Sequence, residues 1–319
     1  MQILVEMAEV RGETFSNRFK ECLPLITQII QPVTLSEYAE RTIVTILDSL
    51  SAMLRKCPKA TKEAAIDGLF NHMLQGLECF VKCLDSPRIQ LACARLFGQL
   101  FTTLEMEFFH SLTDPSVKQL TEWMCWQLKN RLLEEDLAEQ VAKNVAILST
   151  VFVMDEELIW LCKKLCSICK FEVVQQPSES LKRVTIFKLA AALAVRADAT
   201  RLMIVVDAFL PYLHREMMGK SPQNTVELQQ ISLEVAEIFK EKLGDEIYAR
   251  KLTQCQKLAA EKIEQRKRRK KEEAVVDPMN AALKKQKKNK AKAAARKRKL
   301  DTDKPYRASI RKKRRQAQQ

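Results

Sequence analysis

Along residues 1–249 the apolar side chains recur at i, i+3, i+4 and i+7, the pattern of a helix with one buried face. In Arg88 to Leu104 the stripe is Ile89, Leu91, Ala92, Leu96, Leu100 and Phe101, with Cys93 and Phe97 beside it. In Leu181 to Arg196 it is Leu181, Val184, Ile186, Phe187, Ala190, Ala191 and Val195. Strand-like alternation is nearly absent, so the chain is predicted to be all-α. Local start and stop signals separate the stripes. Thr34 with Glu37 forms a capping box ahead of Leu35 to Cys57, and Pro58 ends that helix. Ser86-Pro87 places an N-cap before a proline at the first helical position and opens Arg88 to Leu104. Asp114-Pro115 is expected to do the same for Ser116 to Leu132. Asp155 precedes Glu156 to Lys170, Pro177-Ser178 breaks the chain before Leu181, and Asp198 can cap Ala199 to Met218. Asn224 with Glu227 opens one long helix running toward the C-terminus.

Paired, these helices repeat roughly every forty to fifty residues, near the spacing of HEAT or armadillo arrays. One segment resembles a HEAT helix in detail. Asp85-Ser86-Pro87-Arg88 is followed by Ile89, Ala92, Ala94, Phe97, Gly98 and Leu100, small residues that let helices approach closely. Gln90 stands where arginine is usual in that pattern. The expected fold is a HEAT/armadillo-like α-solenoid with a basic, largely disordered or extended-helical C-terminal tail, and an ordinary helical bundle is the rival. The chain divides into a helical-repeat array over 1–223, a long terminal helix leading out of it over 224–265, and a basic low-complexity tail over 266–319. Gln2 to Val10 begins helix-like with no cap ahead of it. That leads us to expect the C-terminal part of a longer protein, with a partner over the open face as the alternative.

Composition supports helices and narrows the chemistry. Apolar residues make up 46% of the chain, and glycine occurs only 6 times in 319 residues, which leaves few tight active-site turns. No apolar run approaches the ~18 residues of a membrane span. Glu6 and Glu9 interrupt the N-terminal apolar stretch, so it does not read as a signal peptide. The 10 cysteines read as reduced, buried thiols of a cytosolic or nuclear protein. Cys162, Cys166 and Cys169 cluster within a helical run with no histidine nearby, which favours helix packing over a metal site. His72, His110 and His214 are isolated and read as helix-surface or packed residues. We find no phosphate-cradling loop, nucleophile elbow or paired-histidine zinc helix, and expect neither cofactor nor small-molecule substrate. An enzyme with a dispersed site would instead show a deep polar pocket of converging titratable groups. Trp123 and Trp126 share one helical face, read first as inter-helix core and, more sharply, as an exposed anchor for a protein partner.

Charge sets the last seventy residues apart. Residues 250–319 hold 27 Lys/Arg against 7 Asp/Glu, whereas residues 1–249 hold 27 against 33, so the net +14 is a basic tail on a mildly acidic body. Its cations come in runs: Arg266, Lys267, Arg268, Arg269, Lys270 and Lys271; then Lys284, Lys285, Lys287, Lys288 and Lys290. Arg296, Lys297, Arg298 and Lys299 follow, and Arg311, Lys312, Lys313, Arg314 and Arg315 come near the end. Such runs serve as nuclear import signals, contact phosphates, or bind acidic lipid. The scarcity of aromatic and bulky apolar residues after Arg266 counts against membrane insertion and against base stacking, leaving contact along a nucleic-acid backbone.

The tail's wording is more particular than its charge. Ala274-Val275-Val276-Asp277-Pro278-Met279-Asn280-Ala281-Ala282 leads into Lys284 to Lys290, then Arg296-Lys297-Arg298-Lys299-Leu300 and Lys304-Pro305-Tyr306-Arg307. This resembles the extreme C-terminus of the small-subunit processome component 20 homologue family, very large nucleolar proteins of HEAT-like repeats. The resemblance implies a non-enzymatic scaffold of early ribosome assembly in the nucleus and nucleolus. Its partners would be pre-ribosomal RNA, the small nucleolar ribonucleoprotein containing U3 RNA, and other processome proteins. The rival is a solenoid of transport or chromatin whose tail is only an import signal.

Overall fold

The computed structural model of the chain describes residues 2–29, 39–66, 69–83, 85–176, 179–219 and 225–294. These form α1 (Gln2–Arg11), a 3-10 turn (Gly12–Phe15), α2 (Ser16–Ile29), α3 (Glu40–Lys56), α4 (Pro58–Ile66) and α5 (Leu69–Val81). Next come α6 (Pro87–Thr103), α7 (Met106–Ser111), α8 (Val117–Gln127), α9 (Glu135–Val151) and α10 (Asp155–Gln175). Then follow α11 (Leu181–Arg196), α12 (Ala199–Met217), α13 (Val226–Leu243) and α14 (Asp245–Val276), and α15 occupies 278–294. Among the described residues there is no strand, and no helix is long and apolar enough to cross a membrane.

The chain divides into two compact units, Met1–Thr253 and Gln254–Gln319. The first is a two-layered α-solenoid. In one layer α3, α6, α9, α11 and α13 stack each on the next, with α1 against α3. In the other, α5, α8, α10 and α12 do the same, and α2 packs on α4 and α5. The repeat is visible in side-chain hydrogen bonds that link successive pairs. Asn144 donates to the Ala94 carbonyl at 2.8 Å across 50 residues, Lys164 to Glu122 at 2.5 Å across 42, and Lys251 to Asp207 at 2.7 Å across 44. Arg201 reaches Asp155 at 3.3 Å across 46. These separations are the forty-to-fifty-residue period expected from sequence.

Close packing explains the small residues. An added Cβ at Gly98 on α6 would meet the Nε2 of Gln140 at 2.4 Å and the Oδ1 of Asn144 at 2.9 Å on α9, so a larger residue would push aside the Gln140 and Asn144 side chains. Gln90, the departure from the HEAT pattern, is fully buried. Its amide donates to the Val81 carbonyl at 2.8 Å and accepts from Asn130 at 2.8 Å. It therefore ties the end of α5, through α6, to the turn after α8.

The local signals held where one side chain acts on its own helix. Ser86 accepts from the Ile89 amide at 3.3 Å, and Asp198 from the Arg201 amide at 2.9 Å. Leu181–Arg196 has the expected bounds, and Pro58 opens the next helix. Other expectations need correction. Helix α8 is capped by Ser116, not Asp114, and spans Val117–Gln127. Ser116 and Gln119 form a reciprocal capping box, which Asp114 cannot match because Val117, three residues on, has no side-chain acceptor; Asp114 accepts instead from Gln75 at 3.1 Å. Helix α10 starts behind Met154 and extends to Gln175. Thr225 caps α13 by accepting from the Leu228 amide at 3.1 Å, and Asn224 lies outside the described residues. The helix expected to run unbroken past 224 is two helices. Gly244 ends α13 at φ 80° and ψ 154°, a conformation nearly exclusive to glycine. Helix α3 begins at Glu40 behind an extended, uncapped Ala39; Thr34 and Glu37 lie outside the described residues.

Candidate nucleic-acid interface

The first two runs of sequence-predicted cations occupy two helices. Arg266, Lys267, Arg268, Arg269, Lys270 and Lys271 lie in the second half of α14, and Lys284, Lys285, Lys287, Lys288 and Lys290 lie in α15. Arg296 to Lys299 and Arg311 to Arg315 lie outside the described residues. From 266 to 294 every side chain except Ala281 is exposed. Successive residues of a helix are about 100° apart, so six consecutive cations circle α14 completely. No apolar stripe remains there to pack against a core.

Acidic neighbours neutralise little of this charge. Lys267 pairs with Glu264 at 3.8 Å and Arg269 with Glu273 at 4.0 Å, both long and solvent-exposed, so each is weak. Between the two cationic runs lies a helix junction. Asp277 is non-helical, and its carboxylate accepts from the Asn280 amide at 2.9 Å, with Pro278 as the first residue of α15. Glu273 also reaches Lys284 at 3.6 Å across this junction. The arrangement presents a dense positive surface without aromatic platforms, suited to phosphates and unsuited to stacking bases.

The array treats charge in the opposite way. Arg183 is 1% exposed and lies between Glu172 at 2.9 Å and Glu216 at 3.3 Å, also buried. Glu172 further accepts from the backbone amides of Lys182 at 2.7 Å and Arg183 at 3.1 Å, capping α11 where Ser180 makes no side-chain cap. Lys182 donates to Gln176, and burial lowers its pKa. This cluster escaped the sequence reading because nothing in the spacing of Glu172, Arg183 and Glu216 announces that three helix ends converge.

A groove of about 690 Å³ on α6, α9 and α11 includes Glu135, Glu139, Lys143 and Lys188 among its lining residues. Glu139 and Lys143 form an exposed pair at 2.8 Å, and the lysine holds the carboxyl below its usual range. That is the direction opposite to a poised general acid. The helical cysteines are core residues. Burial pushes Cys162 up to about 12 and Cys166 up to about 11, and the Cys166 thiol donates to the Ala208 carbonyl of the next pair at 3.5 Å. Cys169 is likewise raised well above the ordinary thiol range by burial. Among the described residues no group of three or more His, Cys, Asp or Glu side chains is placed to hold a metal. His110 is exposed and His214 half-buried; the His72 side chain lies outside the described ones. The two tryptophans do not share an environment. Trp123 is 9% exposed and Trp126 is 46% exposed, because α8 turns only the former into the core.

A helical array carrying basic helices is common to many scaffolds, so relatives decide. A family model described as small subunit processome component 20 homolog, C-terminal, matches residues 1–302. The chain belongs to this family. The match covers the array and the tail as far as residue 302, where the sequence resemblance had rested mostly on tail wording. One curated relative is the U3 small nucleolar RNA-associated protein 20 of Schizosaccharomyces pombe, 24% identical over 61% of this chain. The chain spans only 8% of that relative's length. No solved structure matches. The family is that of a small-subunit processome component, which suggests a role in ribosome biogenesis.

Proposed function

We propose that the chain is a non-enzymatic scaffold module of small-subunit ribosome biogenesis that contributes to pre-rRNA processing. In this reading the array docks processome proteins and the U3 particle. The cations of α14 and α15 hold pre-ribosomal RNA through its phosphates, and the basic tail directs the protein to the nucleus and nucleolus. The observation that carries the reading is the family match across residues 1–302, which joins the array to both described cationic helices. Exposure of the cations on all sides of α14, with few and long ion pairs, supports phosphate contact. Each neutralised phosphate releases counterions, so affinity falls as salt rises and hardly depends on base sequence.

The test replaces Arg266 to Lys271 by glutamine in the full chain and measures RNA binding by fluorescence anisotropy over a salt series. Affinity is expected to drop at least about tenfold at moderate salt, with a shallower salt slope for every RNA sequence tried. In cells, crosslinking to pre-rRNA should fall with it. If the variant leaves the nucleolus in cells but keeps its RNA affinity in solution, the run is an import signal and the phosphate contact is wrong.

A further inference from the structure

The junction between the two cationic helices has a defined geometry of its own. In an unbroken helix Glu273 and Lys284 are about 16.5 Å apart along the axis, beyond the roughly 15 Å that two extended side chains and the gap of an ion pair reach together. Their ion pair at 3.6 Å therefore requires α15 to bend away from the axis of α14. Pro278 supplies no amide to continue the helix, and Asp277 caps the new one through the Asn280 amide at 2.9 Å. The cations divide around this bend. Arg266 to Lys271 lie on the arm before it and Lys284 to Lys292 on the arm after it, each centred on the order of 15 Å from Asp277.

Two short cationic arms set at an angle do not match a single extended strand, whose phosphates form one line. A helix circled by cations leaves most of them unpaired against one line of phosphates. Two phosphate rows facing each other across a groove satisfy opposite sides of an arm, and a bend lets both arms follow the curved surface of a duplex. We infer that α14 and α15 form a bent clamp for double-stranded RNA, such as a helical stem, in preference to single-stranded RNA. This rests on the phosphate-contact reading above and adds the structure of the RNA.

The experiment uses the full chain and two fluorescent probes of equal strand length, an RNA duplex and an unstructured single strand, at matched salt. The variant D277Q/P278A removes both cap and proline so that one helix can run through. The control D277N changes the charge equally but keeps an N-cap residue and the proline. The unaltered chain and D277N are expected to favour the duplex by at least about fivefold, and D277Q/P278A is expected to lose that preference while its single-strand affinity stays. Circular dichroism should show helicity undiminished in D277Q/P278A, which separates straightening from unfolding. Equal affinity of the unaltered chain for both probes overturns the clamp, as does a duplex preference that survives straightening. Loss of all salt-dependent RNA binding would instead defeat the underlying phosphate-contact reading.

Discussion

Arg183 in the array and Arg268 in the tail are the same residue type under opposite rules. The array buries its arginine between two carboxylates and uses it to fix how three helices meet. The tail leaves its arginine exposed among like charges on a helix with no core face. A buried charge must be answered within the fold or the fold suffers, whereas an exposed cationic run stays unanswered until a polyanion arrives. Charge in the first unit is thus part of the architecture, and charge in the second is available for binding.

The comparison breaks most visibly at Arg183. Replacing it with alanine leaves Glu172 and Glu216 buried without their shared cation, which is expected to cost about 3–5 kcal/mol. In a solenoid the loss falls on the neighbouring pairs first. Hydrogen exchange should therefore show protection lost across α10, α11 and α12 while α3 and α6 keep theirs. Glutamine at any cation from Arg266 to Lys271 should leave the same exchange pattern unchanged. A uniform loss across the array in the Arg183 variant would mean that the cluster is not a local fastener.

A smaller effect is expected at Gln90, where the array buries a neutral polar group. Gln90→Leu removes the bonds to Val81 and Asn130 and should cost about 1–3 kcal/mol. Gln90→Leu with Asn130→Leu should cost less than the sum of the single changes, since each single change disturbs the same bond. Additive costs in urea denaturation would show that the two side chains do not act together.

What was legible in the sequence follows the range of the interaction. The period of the array, the Ser86 and Asp198 caps and the cationic runs each depend on residues close in the chain, and the sequence displays them. The choice of Ser116 over Asp114 was still local, but it turned on Gln119 closing a reciprocal box that the proline signal obscured. The Glu172–Arg183–Glu216 cluster depends on which helix ends converge, and no spacing rule encodes that. Composition left the stretch after Arg266 either disordered or extended-helical and set no helix boundary within it. The capping geometry at Asp277 and Pro278 gives α15 a start signal of its own within an otherwise featureless basic stretch.

The smallest expected effect sharpens the boundary between the two kinds of surface inside the array itself. Trp123 and Trp126 are one turn apart on α8, yet only Trp123 is in the core. Trp126→Ser removes a large side chain that is already half in water, so stability should shift by no more than about 0.5 kcal/mol. Trp123→Ala should cost about 3–5 kcal/mol, as expected for emptying a core position. If Trp126→Ser destabilised the isolated chain as much as Trp123→Ala, the exposure of Trp126 would be wrong and α8 would be rotated toward the core. A Trp126 variant that folds normally but fails to recover processome proteins from cells would make the exposed indole an anchor for one of them, since aromatic side chains at the centre of an interface carry a large share of its binding energy.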